Sequence, residues 1–274
     1  MSGVHVAGGR RKRVGGVKQS SRAADVPRLV ADAHACFLDI DGTLVELADS
    51  PERVRVELSL IRVLERLAST LSGAAALISG RRIADMDRLF APLRLPSAGL
   101  HGLERRGASG SVHWHGPSSS EVPRMLAQAR AWTTIHPGLL LEDKVDTFAV
   151  HFRQAPQLAE EVRTFLQNLM QQSSGDYCLQ PGKMVMEVRP ESRDKGTAVK
   201  EFMGEPPFAG RIPVFIGDDA SDEQAFSVVE NLGGVAIKVG PGETIARWRM
   251  NEVSEVRAWM GQCVATAQER TAKE

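Results

Sequence analysis

Ala35-Cys36-Phe37-Leu38-Asp39-Ile40-Asp41-Gly42-Thr43 is the stretch from which the rest of the chain can be organised. The run from Ala35 to Ile40, apolar except for Asp39, reads as a strand buried on both faces, as in parallel sheets covered by helices. Two carboxylates, two residues apart, close the run, and a glycine turn and a hydroxyl follow. Acids at the end of a buried strand need compensation. A cation between them supplies it, and leaves one carboxylate to act as nucleophile and the other as proton donor. On its own the motif stays ambiguous, because short acidic motifs also build metal-binding loops and ordinary turns.

Outward from this strand the apolar spacing alternates. Leu60, Ile61, Leu64, Leu67, Ala68 and Leu71 recur at helical intervals, and after Gly73 the run Ala74 to Ile78 reads as a second buried strand. Ser79-Gly80-Arg81-Arg82 and a short helix through Phe90 follow. The rhythm returns near the C-terminus, with a helix from Lys195 to Met203, a strand at Pro213 to Ile216, a helix from Ser221 to Val229 and a strand at Val235 to Val239. Strand and helix in alternation predict a parallel sheet wrapped by helices, so the two ends form halves of one doubly wound α/β domain.

The middle has another rhythm. Helices at Glu121 to Ile135 and Gln157 to Gln171 are interleaved with strands at Leu139 to Lys144, Thr147 to Arg153, Asp176 to Gln180 and Met184 to Arg189. The turn at Val145-Asp146 is too short for a crossover helix, so its strands form an antiparallel hairpin. The expected organisation is a basic disordered tail at 1–30, a core at 31–105 and 191–265, an inserted α+β cap at 106–190, and a short C-terminal tail at 266–274.

Composition excludes several classes of function. Lys and Arg number 34 against 34 Asp and Glu over 274 residues, so the chain as a whole is not built for nucleic acid or a membrane surface. Arg10-Arg11-Lys12-Arg13 is a local basic cluster that could touch nucleic acid or an acidic partner, with a plain solvated tail the expected reading. Cys36, Cys178 and Cys263 are an odd number, widely spaced, which indicates neither a disulfide framework nor a zinc site. No apolar run is long enough to span a bilayer, and the N-terminal segment lacks the apolar centre of a secretion signal. A monomeric cytoplasmic protein is the expectation.

In an open parallel sheet, ligands bind beyond the carboxyl ends of the strands. Asp39 and Asp41 follow the first strand, Ser79 the second, and Gly217-Asp218-Asp219-Ala220-Ser221-Asp222-Glu223 the strand ending at Ile216, while Lys195 begins the helix before that strand. Together they supply a nucleophile, a hydroxyl and an ammonium for phosphate oxygens, and carboxylates for a hard divalent cation. Plainer roles exist: Asp222 and Glu223 could stabilise a helix N-terminus, and Ser79 could be a turn residue.

In order and spacing these segments resemble the haloacid dehalogenase superfamily of phosphatases. The resemblance makes Asp39 the nucleophile that takes the phosphoryl group and Asp41 the acid that protonates the leaving oxygen and then activates water. It has Ser79 and Lys195 hold the phosphoryl group. Mg²⁺ would be held by the Asp39 carboxylate, the Asp41 main-chain carbonyl and Asp218, with Asp222 or Asp219 orienting water around it.

Period-2 spacing gives each strand of the insertion a dry and a charged face. Phe148, Val150 and Phe152 oppose His151 and Arg153, and Met184, Met186 and Val188 oppose Lys183, Glu187 and Arg189, with Glu142 and Lys144 sharing a face on the first strand. Such a face could be merely solvated, or could bind a polyol. Glu142-x-Lys144, His151-Phe152-Arg153, Gly182-Lys183-x-Val185-x-Glu187-Val188-Arg189-Pro190, Asp194-Lys195-Gly196 and Gly99-Leu100-His101-Gly102 resemble the trehalose-6-phosphate phosphatases. That resemblance, from about Ala35 to Met260, implies that Glu142, Lys144 and Glu187 bind sugar hydroxyls. Thr43, Gly80, Arg81, His101, His151, Arg153, Lys183 and Arg189 complete the expected substrate-binding set, and Arg82 would lie near the phosphate entrance. The expected partner is a small-molecule sugar phosphate. Two rivals are a phosphatase for another sugar phosphate and an inactive sensor, the latter disfavoured by the intact Asp39, Asp41, Lys195 and Asp218.

Overall fold

The computed structural model describes residues 26–48, 53–116 and 121–271, with side chains to 266. At its centre β1 (His34–Leu38) runs parallel to β2 (Ala75–Ile78) on one side and β10 (Ile212–Gly217) on the other. β3 (Ser97–Gly99) extends the first side, and β11 (Val235–Val239) and β12 (Trp248–Met250) the second, all parallel. Antiparallel β4 (Glu104–Arg106) and β5 (Val112–Trp114) complete an eight-stranded sheet. Five helices connect or flank it: α1 (Leu58–Thr70), α2 (Ile83–Leu89), α5 (Lys195–Met203), α6 (Glu223–Asn231) and α7 (Val253–Thr271).

The chain winds outward from β1 through β2 to β3, then returns to the other side of β1 to build β10, β11 and β12. That reversal opens a crevice at the carboxyl ends of β1 and β10, where neighbouring loops diverge. Burial explains the central strand: Ala35, Cys36, Phe37 and Leu38 have no exposed surface, and the Phe37 ring packs 5.5 Å from Phe208 and 5.9 Å from Phe202. α1 buries Leu60, Ile61, Leu64 and Leu67, the stripe that the sequence spacing predicts.

The insertion is a second, antiparallel sheet of β6 (Leu140–Asp143), β7 (Phe148–His151), β9 (Val185–Pro190) and β8 (Tyr177–Gly182), in that order. α3 (Val122–Thr134) and α4 (Ala159–Gln171) cover one face of it. Val122, Met125, Val162 and Leu166 pack with Phe148, Val150, Met186 and Val188, all buried, so the opposite face is left to polar side chains. The β6–β7 hairpin turns at Val145, whose φ of 73° lies in the left-handed region.

Four expectations need correction. Residues 106–116 do not start the cap, because β5 pairs with β4 in the large sheet, and the inserted layer begins at α3. Three-residue strands carry too little period to be read. The N-terminal tail does not reach residue 30: Val26 and Leu29 are buried in the core, and Trp259 Nε1 donates to the Pro27 carbonyl at 3.2 Å. Residues 1–25, with the basic cluster, lie outside the described residues. The C-terminal tail does not begin at 266, since α7 continues to Thr271. Met184 leaves the dry face, because it sits at the β8–β9 turn with φ 63° and 38 % exposure.

Candidate active site

The loops at the carboxyl ends of β1, β2 and β10 meet the polar face of the second sheet around a cavity of about 160 Å³. Asp39, Asp41, Ser79, Gly80, Arg81, His101, Lys195, Asp218 and Asp219 line it from the core side. Glu142, Lys144, His151, Arg153, Gln180, Lys183 and Glu187 line it from the cap side.

Lys195 organises the floor. Asp194 caps α5 by accepting from the Thr197 N–H at 2.7 Å, which fixes the first turn and aims the next residue inward. The Lys195 ammonium donates to Asp39 Oδ1 and Asp222 Oδ1, both at 2.8 Å. Burial works against its charge, but Asp222 and Asp39 outweigh that and hold Lys195 well above the ordinary lysine range.

The acids show the opposite balance. Burial pushes Asp39 up to about 7 despite Lys195, with Asp218 and Asp219 adding to the rise. Burial likewise takes Asp222 to about 8, and burial together with Asp219 and Asp222 takes Asp218 to about 6. Asp39, Asp218 and Asp222 each offer a carboxylate oxygen within 4.8 Å of the others. Buried carboxylates that retain protons for want of countercharge, all oxygen donors, fit a hard divalent cation.

Close packing builds this cluster. Gly42 has φ 81°, and a Cβ there would lie 2.1 Å from Asp218 Oδ2; a Cβ on Gly217 would lie 2.3 Å from Asp222 Cγ. Asp222 Oδ2 accepts from the main-chain N–H of Asp218 at 2.9 Å and of Asp219 at 3.0 Å. Asp222 therefore both orders the turn before α6 and belongs to the carboxylate cluster, which unites the two roles weighed from sequence. Asp219 accepts from the Ser221 N–H and hydroxyl, and its carboxylate is outside the three-acid cluster.

Asp41 is held apart from the cluster by a bidentate pair with Arg81, at 2.6 Å to Nε and 2.7 Å to Nη2. Ser79 Oγ accepts from the Arg81 N–H at 3.2 Å, so serine, glycine and arginine form one tight loop. On the cap, Lys144 donates to Glu187 Oε2 at 2.6 Å and to the Gly80 carbonyl at 3.1 Å. Thr147 donates to Glu187 Oε1 at 2.8 Å. Burial would raise Glu187, yet Lys144 and His101 hold it well below the usual carboxylate range. Burial would also raise Glu142, but the His151 ring 2.8 Å away and the Lys144 charge keep it low. Two further cap cations touch the core directly: Lys183 pairs with Asp218, and Arg153 donates to the Ala48 carbonyl.

Three residues placed here by sequence stand elsewhere. Thr43 is fully buried behind Asp39, its hydroxyl 3.5 Å from Oδ2, and does not line the cavity. Arg189 is turned to Gln180 Oε1 at 3.1 Å and to the carbonyls of Pro190 and Arg193, off the cavity. Arg82 lies 3.4 Å from Glu104 instead of at the phosphate loop. Gln180 was missed, although it is the cross-strand partner of Glu187 and must share its face.

A doubly wound sheet whose switch point gathers Asp-x-Asp, a serine, a lysine and an Asp-Asp turn, under an antiparallel cap, is the architecture of a haloacid dehalogenase-type phosphatase. A family model described as trehalose-phosphatase matches residues 37–256. The chain belongs to the trehalose-phosphatase family and is a phosphoric monoester hydrolase. It is 40 % identical over 246 residues to the trehalose-6-phosphate phosphatase of Escherichia coli, covering 90 % of this chain and 92 % of that protein. The crystal structure of a trehalose-6-phosphate phosphatase related protein superposes with a TM-score of 0.71 at 25 % identity, over 86 % of this chain and 99 % of the other. The Candida albicans trehalose-6-phosphate phosphatase C-terminal domain shares the fold, with a TM-score of 0.76 at 21 % identity over 86 % of this chain and 93 % of that one.

Proposed function

We propose that the protein hydrolyses trehalose 6-phosphate to trehalose and phosphate by way of an aspartyl phosphate on Asp39. The observation that carries this reading is that Asp39, Asp41, Ser79 and Lys195 face Glu142, Lys144 and Glu187 across one cavity. The phosphoryl group is received by the Ser79 hydroxyl and the Lys195 ammonium. An Asp39 oxygen attacks phosphorus, the bond from phosphorus to the sugar oxygen breaks, and Asp41 gives that oxygen its proton. Asp41 then takes a proton from water, whose oxygen attacks phosphorus and releases the Asp39 carboxylate with inorganic phosphate. In the free protein Arg81 holds both Asp41 oxygens, so this pair opens before Asp41 carries the proton that it gives to the leaving oxygen.

Asp39, Asp218 and Asp222, with the Asp41 main-chain carbonyl, are the residues that would hold Mg²⁺. Bound there, the cation supplies positive charge to the transferring phosphoryl oxygens. Glu142, Lys144 and Glu187 hold sugar hydroxyls, and Gln180 extends the same face. Core and cap meet beside the cavity where Lys144 donates to the Gly80 carbonyl and Arg153 to the Ala48 carbonyl, and the two layers part at these contacts to admit the disaccharide. Reclosure excludes bulk water during transfer. The free cysteines Cys36, Cys178 and Cys263 suit a reducing cytoplasm, and action there as a monomer completes the reading.

The test is phosphate release from trehalose 6-phosphate, glucose 6-phosphate and sucrose 6-phosphate, with Mg²⁺ and with chelator. A strong Mg²⁺-dependent preference for trehalose 6-phosphate is expected. Equal or better turnover of another sugar phosphate would overturn the cap assignment while leaving the core chemistry in place.

A further inference from the structure

Leu100, His101 and Gly102 have φ of 48°, 57° and 108°, so the left-handed region is held by two side-chain-bearing residues in succession. Such a conformation persists only when its surroundings over-determine it. Here the Leu100 N–H donates to the Arg81 carbonyl and the His101 N–H to the Ser79 carbonyl, both at 3.0 Å, which ties the turn to the phosphate loop. The turn delivers the His101 ring into the gap between core and cap. A Cβ on Gly80 would lie 2.7 Å from His101 Nε2, so the loop's glycine makes room for that ring.

His101 Nε2 is 3.3 Å from Glu187 Oε2 on the cap. Burial lowers the pKa of His101, which favours the neutral ring. A neutral imidazole that donates from Nε2 leaves Nδ1 as an acceptor, and Nδ1 is buried without a hydrogen-bond partner. The contact to Glu187 is thus the polar interaction that the ring makes in the closed state. A ring of contacts results: the Ser79 carbonyl to the His101 main chain, the His101 side chain to Glu187, Glu187 to Lys144, and Lys144 back to the Gly80 carbonyl.

We propose that His101 is a positioning residue that links cap closure to the phosphate loop, its main chain bracing Ser79 and its ring catching Glu187 as the cap closes. The catalytic consequence rests on the reading of Glu187 as a sugar-binding residue; the closure itself does not. With the cap down, His101 and Lys144 together hold the Glu187 carboxylate in one orientation. When the cap lifts, His101 lets go of Glu187, while Lys144, itself on the cap, leaves the Gly80 carbonyl and stays with Glu187.

His101→Asn is the suitable variant, because Asn tolerates the left-handed region yet is too short to reach Glu187. Loss of one hydrogen bond to a charged group is expected to lower kcat/KM for trehalose 6-phosphate about ten- to a hundredfold. In a Glu187→Ala background the same change should cost less than about threefold, and His101→Gln, which restores a donor, should recover activity only where Glu187 is present. Equal losses in both backgrounds would overturn the proposal. Independently of any substrate, X-ray scattering of the free protein should show a larger radius of gyration for His101→Asn than for the parent. Identical scattering would also overturn it. A larger radius together with a Glu187→Ala variant of undiminished turnover would leave the closure role standing and remove Glu187 from sugar binding.

Discussion

Replacing Lys195 by Met tests the electrostatic design of the floor most directly. The residue is 2 % exposed and contacts Asp39 and Asp222 at 2.8 Å each, so Met fills a similar volume and removes only the charge. Breaking a buried pair by deleting one partner costs about 3–5 kcal/mol, because the remaining charge is left without compensation. Here two carboxylates lose the same ammonium. At a urea slope of about 3 kcal/mol/M, the denaturation midpoint in chelator falls by about 1 M or more. The pH dependence has a fixed sign. Asp39 and Asp222 have folded values of about 7 and about 8, above the ordinary carboxylate range, so the native state binds more protons than the unfolded one as pH rises from about 4 to 8. Their contribution therefore becomes more unfavourable through that window. Without Lys195 the folded values climb further, and the deficit relative to the parent is larger at pH 8 than at pH 5. Urea melts in chelator at both pH values measure it, and Mg²⁺ should return part of the loss at pH 8. A variant with the parent's midpoint at pH 8 in chelator would refute the assignment of Lys195 as the charge that holds the two acids together.

Three further outcomes are expected. Asp39→Asn should retain the parent's circular dichroism yet release no phosphate, since an amide does not attack phosphorus; substantial turnover would remove Asp39 as nucleophile. Gly42→Ala places a Cβ 2.1 Å from Asp218 Oδ2 at φ 81°, so loss of Mg²⁺ binding by calorimetry, with about 1–2 kcal/mol of backbone strain, is expected. In the parent, Mg²⁺ should raise the melting temperature more at pH 8 than at pH 5, because protons on Asp39, Asp218 and Asp222 must leave first. A pH-independent rise would place the cation elsewhere.

Legibility from sequence followed the strength of local pattern. The apolar run into Asp39 made β1, and the alternation of Phe148, Val150, Met186 and Val188 told which cap face would be dry, so Glu142, Lys144 and Glu187 could be assigned to the other before any contact was known. β3, β4 and β5 were invisible because three residues hold no period, and the core's edge was consequently read as cap. Arg189 shares the alternation of Glu187, but β7 pairs with β9 only as far as Val188, and beyond that point Gln180 and main-chain carbonyls take the guanidinium. Thr43 failed for a comparable reason. Facing is decided by the turn at Gly42, which sends the hydroxyl behind Asp39. Tertiary position, not residue type, set each of these.

The two sides of the cavity treat charge differently, and the difference bears on selectivity under the proposed function. On the core side, carboxylates crowd beyond what Lys195 and Lys183 neutralise, so the acids resist ionisation and the site favours a cation, whose charge would in turn offset that of a phosphoryl group. On the cap side, Glu187 is already paired with Lys144 and His101, and Glu142 with His151. Admission of a ligand separates the layers and breaks the His101–Glu187 and Lys144–Gly80 contacts. On reclosure the two contacts re-form beside the ligand, whose hydroxyls must satisfy the cap's remaining lone pairs and protons. A phosphate ester with too few hydroxyls leaves buried polar groups unmatched, and sites built on such groups discriminate far more steeply than apolar pockets of the same size. Selection for a polyol would thus arise from the cost of closing on anything else, while the phosphoryl chemistry on the floor stays indifferent to the leaving group.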